Sequence, residues 1–360
     1  MKLGDSLDVT DLELLVLLQE RPVANFTALA KLLNLSSPTV KRRLDRLYSG
    51  IIERVVAIPD YSKLGLVPIS TFIRTKRGGE LKRSLDKHPY LYFHVSVLGD
   101  LNGVHSTFRL PPNAKGYLIE LLESLKGKLL EDYFVIEHDS DVGIRSTPRF
   151  SAYNSKSNTW EFYWEKWIST QSKQIDAIDK KEDSRVILKE LEYVDLEILS
   201  QLTRNSRKKN VEILESLSEE LSPQRLSDKL KEIRRKCISG YRVYLNWSVF
   251  DFNDVLFRCE ASPTATRQFR ELLMSIPPPF SSTFREYHSN GKSGFLYYLS
   301  CPPSHVIGAY EALSGICDDL RYYLLNTRTY HRESLNLKAF DPKNVQWIVD
   351  RDSLVYSLLD

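Results

Sequence analysis

The chain has 360 residues, 42% of them apolar and 27% charged, with a formal net charge of +3, a balance that suits a folded protein of two to three domains. No run of about 18 apolar residues is present, which excludes an apolar membrane-spanning helix. The small net charge excludes a uniformly polyanion-binding molecule, so any nucleic-acid footprint has to be local. Acids at Asp5, Asp8 and Asp11 interrupt what would be the apolar core of a secretory leader. The four cysteines, Cys237, Cys259, Cys301 and Cys317, fit no CxxC or zinc spacing; they are expected to be reduced core thiols of a cytoplasmic protein.

In chain order, the first helix is predicted to start at Thr10, because Thr10-Asp11-Leu12-Glu13 has capping-box form. Its buried side is Leu12, Leu15, Val16 and Leu18, and Arg21-Pro22 ends it. A second helix carries Leu29, Leu32 and Leu33, and Leu35 leads into a polar turn. Ser36 and Ser37 are cap-type residues, and Pro38 suits a first helical position. Val40, Leu44 and Leu47 then recur as one buried stripe, and Gly50 is a stop. Thr39, Lys41, Arg42, Arg43 and Arg46 occupy the other faces. A short helix with a sealed stripe and a concentrated basic face fits duplex DNA, since the stripe holds it on its domain while the face meets phosphates and base edges. The plain alternative is a solvated basic face; the order of cap, turn and cap favours DNA. Ser37, Thr39, Arg42 and Arg43 are the base-edge candidates, and Lys41, Arg46 and Arg54 the phosphate candidates.

Ile51 to Pro59 reads as a strand pair or wing, which closes a first module over 1–66. From residue 67 the rhythm changes: a strand at Val67 to Thr75, a helix at Glu80 to Asp86, strands at Tyr92 to Leu98 and Val104 to Leu110, a helix at Ala114 to Leu125 and a strand at Leu129 to His138. This β-α-β-β-α-β order is ferredoxin-like. One face of such a sheet lacks cover and makes a natural pairing surface. Trp160, Phe162 and Trp164 alternate as an added strand, read as core or interdomain packing, so that this unit spans 67–168. The polar, mixed-charge stretch 169–186 is a linker.

A winged helix-turn-helix joined to this second domain resembles the Lrp/AsnC family of feast/famine regulators. The likeness rests on Asp11 to Leu15, Leu29 to Ser36, Val40, Arg43, Leu44, Leu47, Gly50 to Ile52, Leu64-Gly65-Leu66 and Val97-Leu98-Gly99-Asp100, and covers about the first 140 residues. It implies a DNA-binding transcriptional regulator that pairs through its ferredoxin-like sheets. It also implies an effector-site turn at Gly99 and Asp100, although Asn102 stands where an acid is common in the family, so a small-molecule effector is doubtful.

The chain then repeats itself. Val194 to Leu199 echoes Thr10 to Leu15; Ser222-Pro223 echoes Ser37-Pro38, displaced by one; Leu226, Leu230 and Ile233 reproduce the stripe; Cys301-Pro302-Pro303 matches Leu110-Pro111-Pro112; and Ala339-Phe340-Asp341 with Trp347 matches Ala152-Tyr153-Asn154 with Trp160. The expected fold is therefore α+β: two copies of a winged helix-turn-helix followed by a ferredoxin-like domain, the second copy over 187–252 and 253–360. The second recognition helix has Ser227-Asp228-Lys229 in place of Lys41-Arg42-Arg43, and an aspartate there repels phosphate. Arg207, Lys208, Lys209 and Arg225 remain as secondary phosphate candidates. The two sheets are expected to pair as a homodimer or as a pseudodimer within one chain. No metal-ligand spacing, phosphate-cradling loop or nucleophile elbow is present. The expectation is a regulator without a cofactor, not an enzyme. A sirohaem-decarboxylase-like catalyst, which would need His, Tyr or Arg groups around a large apolar pocket, is the rival. A protein-recruiting module, using the stretch near Trp160 and the tail from Val345 to Leu359, is a third reading.

Overall fold

The computed structural model describes residues 7–138, 143–154, 156–157, 159–170, 185–289, 291–332 and 335–355. The first copy runs α1 (Val9–Glu20), α2 (Phe26–Leu33), α3 (Ser37–Tyr48), β1 (Ile52–Pro59), β2 (Val67–Arg74), α4 (Gly78–Asp86), β3 (Leu91–Gly99), β4 (Gly103–Leu110), α5 (Lys115–Leu125), β5 (Asp132–Glu137) and β6 (Ile144–Ser146). A hairpin of β7 (Tyr153–Asn154) and β8 (Thr159–Trp160) and a short α6 (Trp164–Ile168) follow. The second copy runs α7 (Tyr193–Arg204), α8 (Asn210–Leu214), α9 (Pro223–Lys236), β9 (Ile238–Leu245), β10 (Asn253–Glu260), α10 (Pro263–Ser275), β11 (Ser281–Ser289), β12 (Lys292–Cys301), α11 (Pro303–Ser314), β13 (Asp319–Arg332), β14 (Phe340–Asp341), β15 (Gln346–Trp347) and α12 (Arg351–Leu354). Most of the expected linker lies outside the described residues.

The helix starts follow from their caps. α1 is capped by Asp8 rather than Thr10: the Asp11 N–H donates to the Asp8 carboxylate at 2.9 Å and the Asp8 N–H to Asp11 at 3.2 Å. Aspartate caps better than threonine, so the box sits two residues earlier. Ser36 caps α3 and Ser222 caps α9. The caps are thus in register between the copies, and only the proline is displaced.

The strand expected as a wing makes no hairpin within its own module. β1 pairs antiparallel with β9 of the second copy, Val56 opposite Arg242 and Arg54 opposite Tyr244. The ferredoxin-like sheets also join. Their strand orders, β5-β2-β4-β3 and β13-β10-β12-β11, are the same topology twice, and β3 pairs with β13 to make one sheet. On the opposite side β6 pairs with β11, and His138, one residue beyond β5, bridges to Tyr287. The sheet therefore closes on itself as a barrel around a pseudo-dyad, which removes the exposed strand edges that two separate sheets would carry. The pairing of the two units is within one chain.

Phe72, Phe93, Val95, Leu256, Leu296 and Tyr323 fill part of the barrel interior. The two outer cores are exchanged between copies. α1–α3 share a core with the second ferredoxin-like domain, and α7–α9 share one with the first. The aromatic segments are exchanged in the same way. Trp160 packs on Phe250, Phe252 and Phe280 of the second copy. Trp347 packs on Tyr90 and donates its Nε1–H to the Leu64 carbonyl at 2.7 Å. The strand read from Trp160 to Trp164 ends at Trp160, because residues 161–163 leave the hairpin and Trp164 opens α6 instead. The tail is packed at Trp347, Leu354 and Val355, while Gln346, Arg351, Asp352 and Ser353 are exposed; residues 356–360 lie outside the described ones.

α6 crosses α11 at Gly308. A Cβ there would stand 2.6 Å from Cδ1 of Trp164. Gly308→Ala is therefore expected to cost about 1–3 kcal/mol by overpacking, despite alanine's better helix propensity. A urea midpoint unchanged or raised in this variant would contradict the packing described.

Candidate nucleic-acid interface

α3 divides into three sectors. Val40, Leu44 and Leu47 are sealed against the domain. Lys41 and Arg42 project into solvent, as do Pro38 and Arg46. Ser37 and Thr39 are half-buried at the helix start, and the Thr39 hydroxyl lies 2.8 Å from that of the cap Ser36.

The third sector holds Arg43, and here the structure corrects the sequence reading. Arg43 Nη1 donates to Asp8 and to Asp11, each at 2.8 Å. Arg46 pairs with the same Asp11, whose carboxylate is fully buried. Hydrogen bonds to Asp8 and Asp11 raise the Arg43 pKa. Arg43 thus bolts α3 to the start of α1, and its charge is neutralised before any DNA arrives. The second copy has the same bolt: Lys229, at the position equivalent to Arg43, pairs with Glu192 and Asp195 at 2.8 Å each. Two copies with different outer faces share this contact, so it belongs to the module's architecture. Arg46 is half-committed in the same way.

Arg54 also leaves the predicted interface. It is half-buried on the β1–β9 ribbon, 5.3 Å over the ring of Tyr244. In the second head, Arg225 pairs with Glu192 and Glu219, and Lys231 with Asp228. Arg207 donates to the Pro22 carbonyl at 2.8 Å and lies over Phe26, both in the first head. Lys208 donates to Gln201 at 2.7 Å, while Lys209 is exposed. Of the four secondary phosphate candidates, Arg207 holds the heads together and Arg225 is offset by acids. Gly99 and Asp100 sit where β3 meets β13. The Asp100 carboxylate accepts the Tyr322 N–H at 2.8 Å, and a Cβ on Gly99, at φ +134°, would meet the Tyr322 carbonyl at 2.6 Å. The turn expected to hold an effector is used as a joint of the sheet.

Sequence reasoning missed a polar cluster inside the barrel. His105 Nδ1–H donates to the Thr71 carbonyl at 3.0 Å and Nε2 accepts from the Tyr298 hydroxyl at 2.7 Å, which fits a neutral imidazole. His138 Nε2 lies 2.7 Å from the Ser70 hydroxyl. Burial pushes His105 down to about 4 and His138 well below its usual value, the latter also through Arg285 and Arg109. A signal was present. By the internal repeat, His105 corresponds to Leu296, Arg285 to Val95 and Arg109 to Ser300. Titratable residues in one copy opposite Leu296, Val95 and Ser300 in the other mark what the fold alone does not require.

Residues 7–48 match the model of the AsnC-type helix-turn-helix domain. No curated protein matches the chain. Among solved structures, the siroheme decarboxylase NirDL aligns over 97% of this chain and 97% of its own, at 12% identity and a TM-score of 0.49. An AsnC family transcriptional regulator from Agrobacterium tumefaciens aligns over 40% of this chain and 98% of its own, at 21% identity and a TM-score of 0.34. A transcriptional regulator from Neisseria meningitidis, solved with L-Met, aligns over 40% and 97%, at 20% identity and 0.34. The near-complete alignment with NirDL overturns the sequence-based exclusion of an enzyme, which is withdrawn. The interior cluster supplies His, Tyr and Arg groups, one half of what this rival reading asked for; the other half is a large apolar pocket around them. Among the described residues, no helix is long and apolar enough to cross a membrane, and no group of histidine, cysteine and acidic side chains could hold a metal.

Proposed function

We propose that the protein is a sequence-specific DNA-binding transcriptional regulator that reads duplex DNA mainly through α3 of the AsnC-type domain. The observation that carries this reading is the division of labour on α3: Arg43 is spent on α1, leaving Lys41 and Arg42 as the exposed cations of a helix sealed on its other side. Arg42, with Ser37 and Thr39, is placed for base edges, and Lys41 for phosphate. The two heads of one chain are unlike, because acids offset the cations of α9. The preferred operator is therefore asymmetric, with one half-site read for sequence and its neighbour touched at most on the backbone. No amino-acid effector is proposed at Gly99 and Asp100. Four free thiols suit the reducing cytoplasm, the compartment proposed for the protein.

Salt titration tests the reading. Each neutralised phosphate adds about 0.9 to the slope of log K against log salt. Lys41→Ala is expected to lower that slope by about one and leave sequence preference intact. An unchanged slope, or a lost preference, would remove Lys41 from the phosphate role.

A further inference from the structure

Between the β1–β9 ribbon and the end of the barrel, five arginines converge. Arg54 and Arg242 both lie over the Tyr244 ring, at 5.3 and 5.1 Å. Arg242 Nη1 is 3.5 Å from the Thr283 hydroxyl. Arg145 on β6 stands opposite Thr283 in the register, and Arg285 follows on the same face of β11. Arg109, 4% exposed, is held over the rings of Tyr61 and Tyr92 at 5.1 and 4.9 Å. Arg54, Arg145, Arg242 and Arg285 are half-buried and remain reachable. Among the described residues, Arg54, Arg145 and Arg242 form no ion pair. Glu286 pairs with Arg270 on α10 at 3.2 Å, and Arg285 and Arg109 each keep a partner of their own. Burial and the charges of Arg285 and Arg242 together push Arg145 down to about 10.

Nothing in the fold demands this concentration of charge. By the internal repeat, Arg54, Arg242, Tyr244, Arg109 and Arg285 correspond to Gly240, Val56, Ile58, Ser300 and Val95. Arg145 alone has a basic counterpart, Arg332; at the other five positions the second copy has small or apolar residues. Like charges gathered in a part-buried space repel one another unless an anion neutralises them, and guanidinium forks suit multidentate oxyanions. We infer that the arginine-lined space between the ribbon and the barrel is a binding site for a small anion carrying two or more negative charges, of phosphate or carboxylate type.

Calorimetric titration of the full chain with pyrophosphate and, separately, citrate tests this inference at constant ionic strength. Binding of either is expected, at one ion per chain, and the stronger of the two identifies the oxyanion chemistry. Arg145→Gln/Arg242→Gln is expected to weaken that binding at least tenfold, and Arg42→Ala to leave it unchanged. Since the double variant relieves repulsion, its thermal midpoint without anion should equal or exceed that of the wild type. Should it fail to fold, Arg54→Gln alone is expected to weaken binding severalfold. No binding of either anion to the wild type, binding equal in wild type and variants, or binding lost in Arg42→Ala and so located on the DNA-reading head would each overturn the inference. DNA affinity measured in parallel tells a failure here from a failure of the regulatory reading.

Discussion

Arg42→Ala is expected to weaken binding to a preferred duplex by about 1–3 kcal/mol, roughly 5- to 150-fold, and to flatten the preference at one base position. Arg43→Ala, one residue along, is expected to behave differently. It strips Asp11, fully buried, of one of its two cations and takes from Asp8 its ion-pair partner. Breaking a buried pair costs about 3–5 kcal/mol; Arg46 remains on Asp11 and Arg43 is itself about a fifth exposed, so a loss of about 2–3 kcal/mol of stability is appropriate. Binding then falls because the head loosens, equally on all sequences. Denaturant midpoints and binding to matched and mismatched duplexes separate the two variants. An Arg43→Ala protein of wild-type stability that loses preference at one base would return Arg43 to the reading face.

The largest pH effect is expected on the acid side of neutrality. Burial pushes His88 down to about 3 and His105 to about 4, and His138 well below its usual value. His88 uses its neutral form, Nδ1 accepting the Tyr90 N–H at 3.2 Å. In the unfolded chain each titrates near 6.5. Between these values the unfolded state binds more protons, so stability is complete above about pH 6.5 and falls as the pH drops towards the folded values. At pH 5.5 His88 and His105 each cost on the order of 1 kcal/mol, and His138 adds to the loss in the same direction. Carboxylates scarcely titrate above pH 5.5, so urea midpoints at pH 7.5 and 5.5 report on the histidines, His305 included, whose pKa burial also lowers. His105→Gln should reduce the difference. Equal midpoints at the two pH values would mean that the histidines are not held neutral.

Local chemistry was legible in the sequence where it is decided locally. The stripe Val40, Leu44, Leu47 and its repeat at Leu226, Leu230, Ile233 define α3 and α9 because helical period and burial coincide. The doubled β-α-β-β-α-β order was legible from turns and repeats. What the sequence did not disclose is set by partners distant along the chain. β1 looked like a wing because a strand carries no record of its partner, here β9, nearly 190 residues away. Arg43 looked like a reader because Asp8 and Asp11 reach it only once α1 packs on α3. Asp100 follows Gly99 as in an effector turn, with Asn102 where an acid is common, and Tyr322 claims its carboxylate. The buried histidines and arginines sit in strands whose alternation hides which face is interior, and only their mismatch with the second copy sets them apart.

On the proposed reading, one chain offers one sequence-reading head, carried by Arg42. A binding selection from random duplex DNA at near-physiological salt, run on the wild type beside Arg42→Ala, tests it most directly. A single, non-palindromic motif is expected for the wild type, lost or degraded in the variant. A palindromic motif would contradict the unlike-heads arrangement, and no enriched motif, with weak binding the same in both proteins, would contradict DNA reading itself.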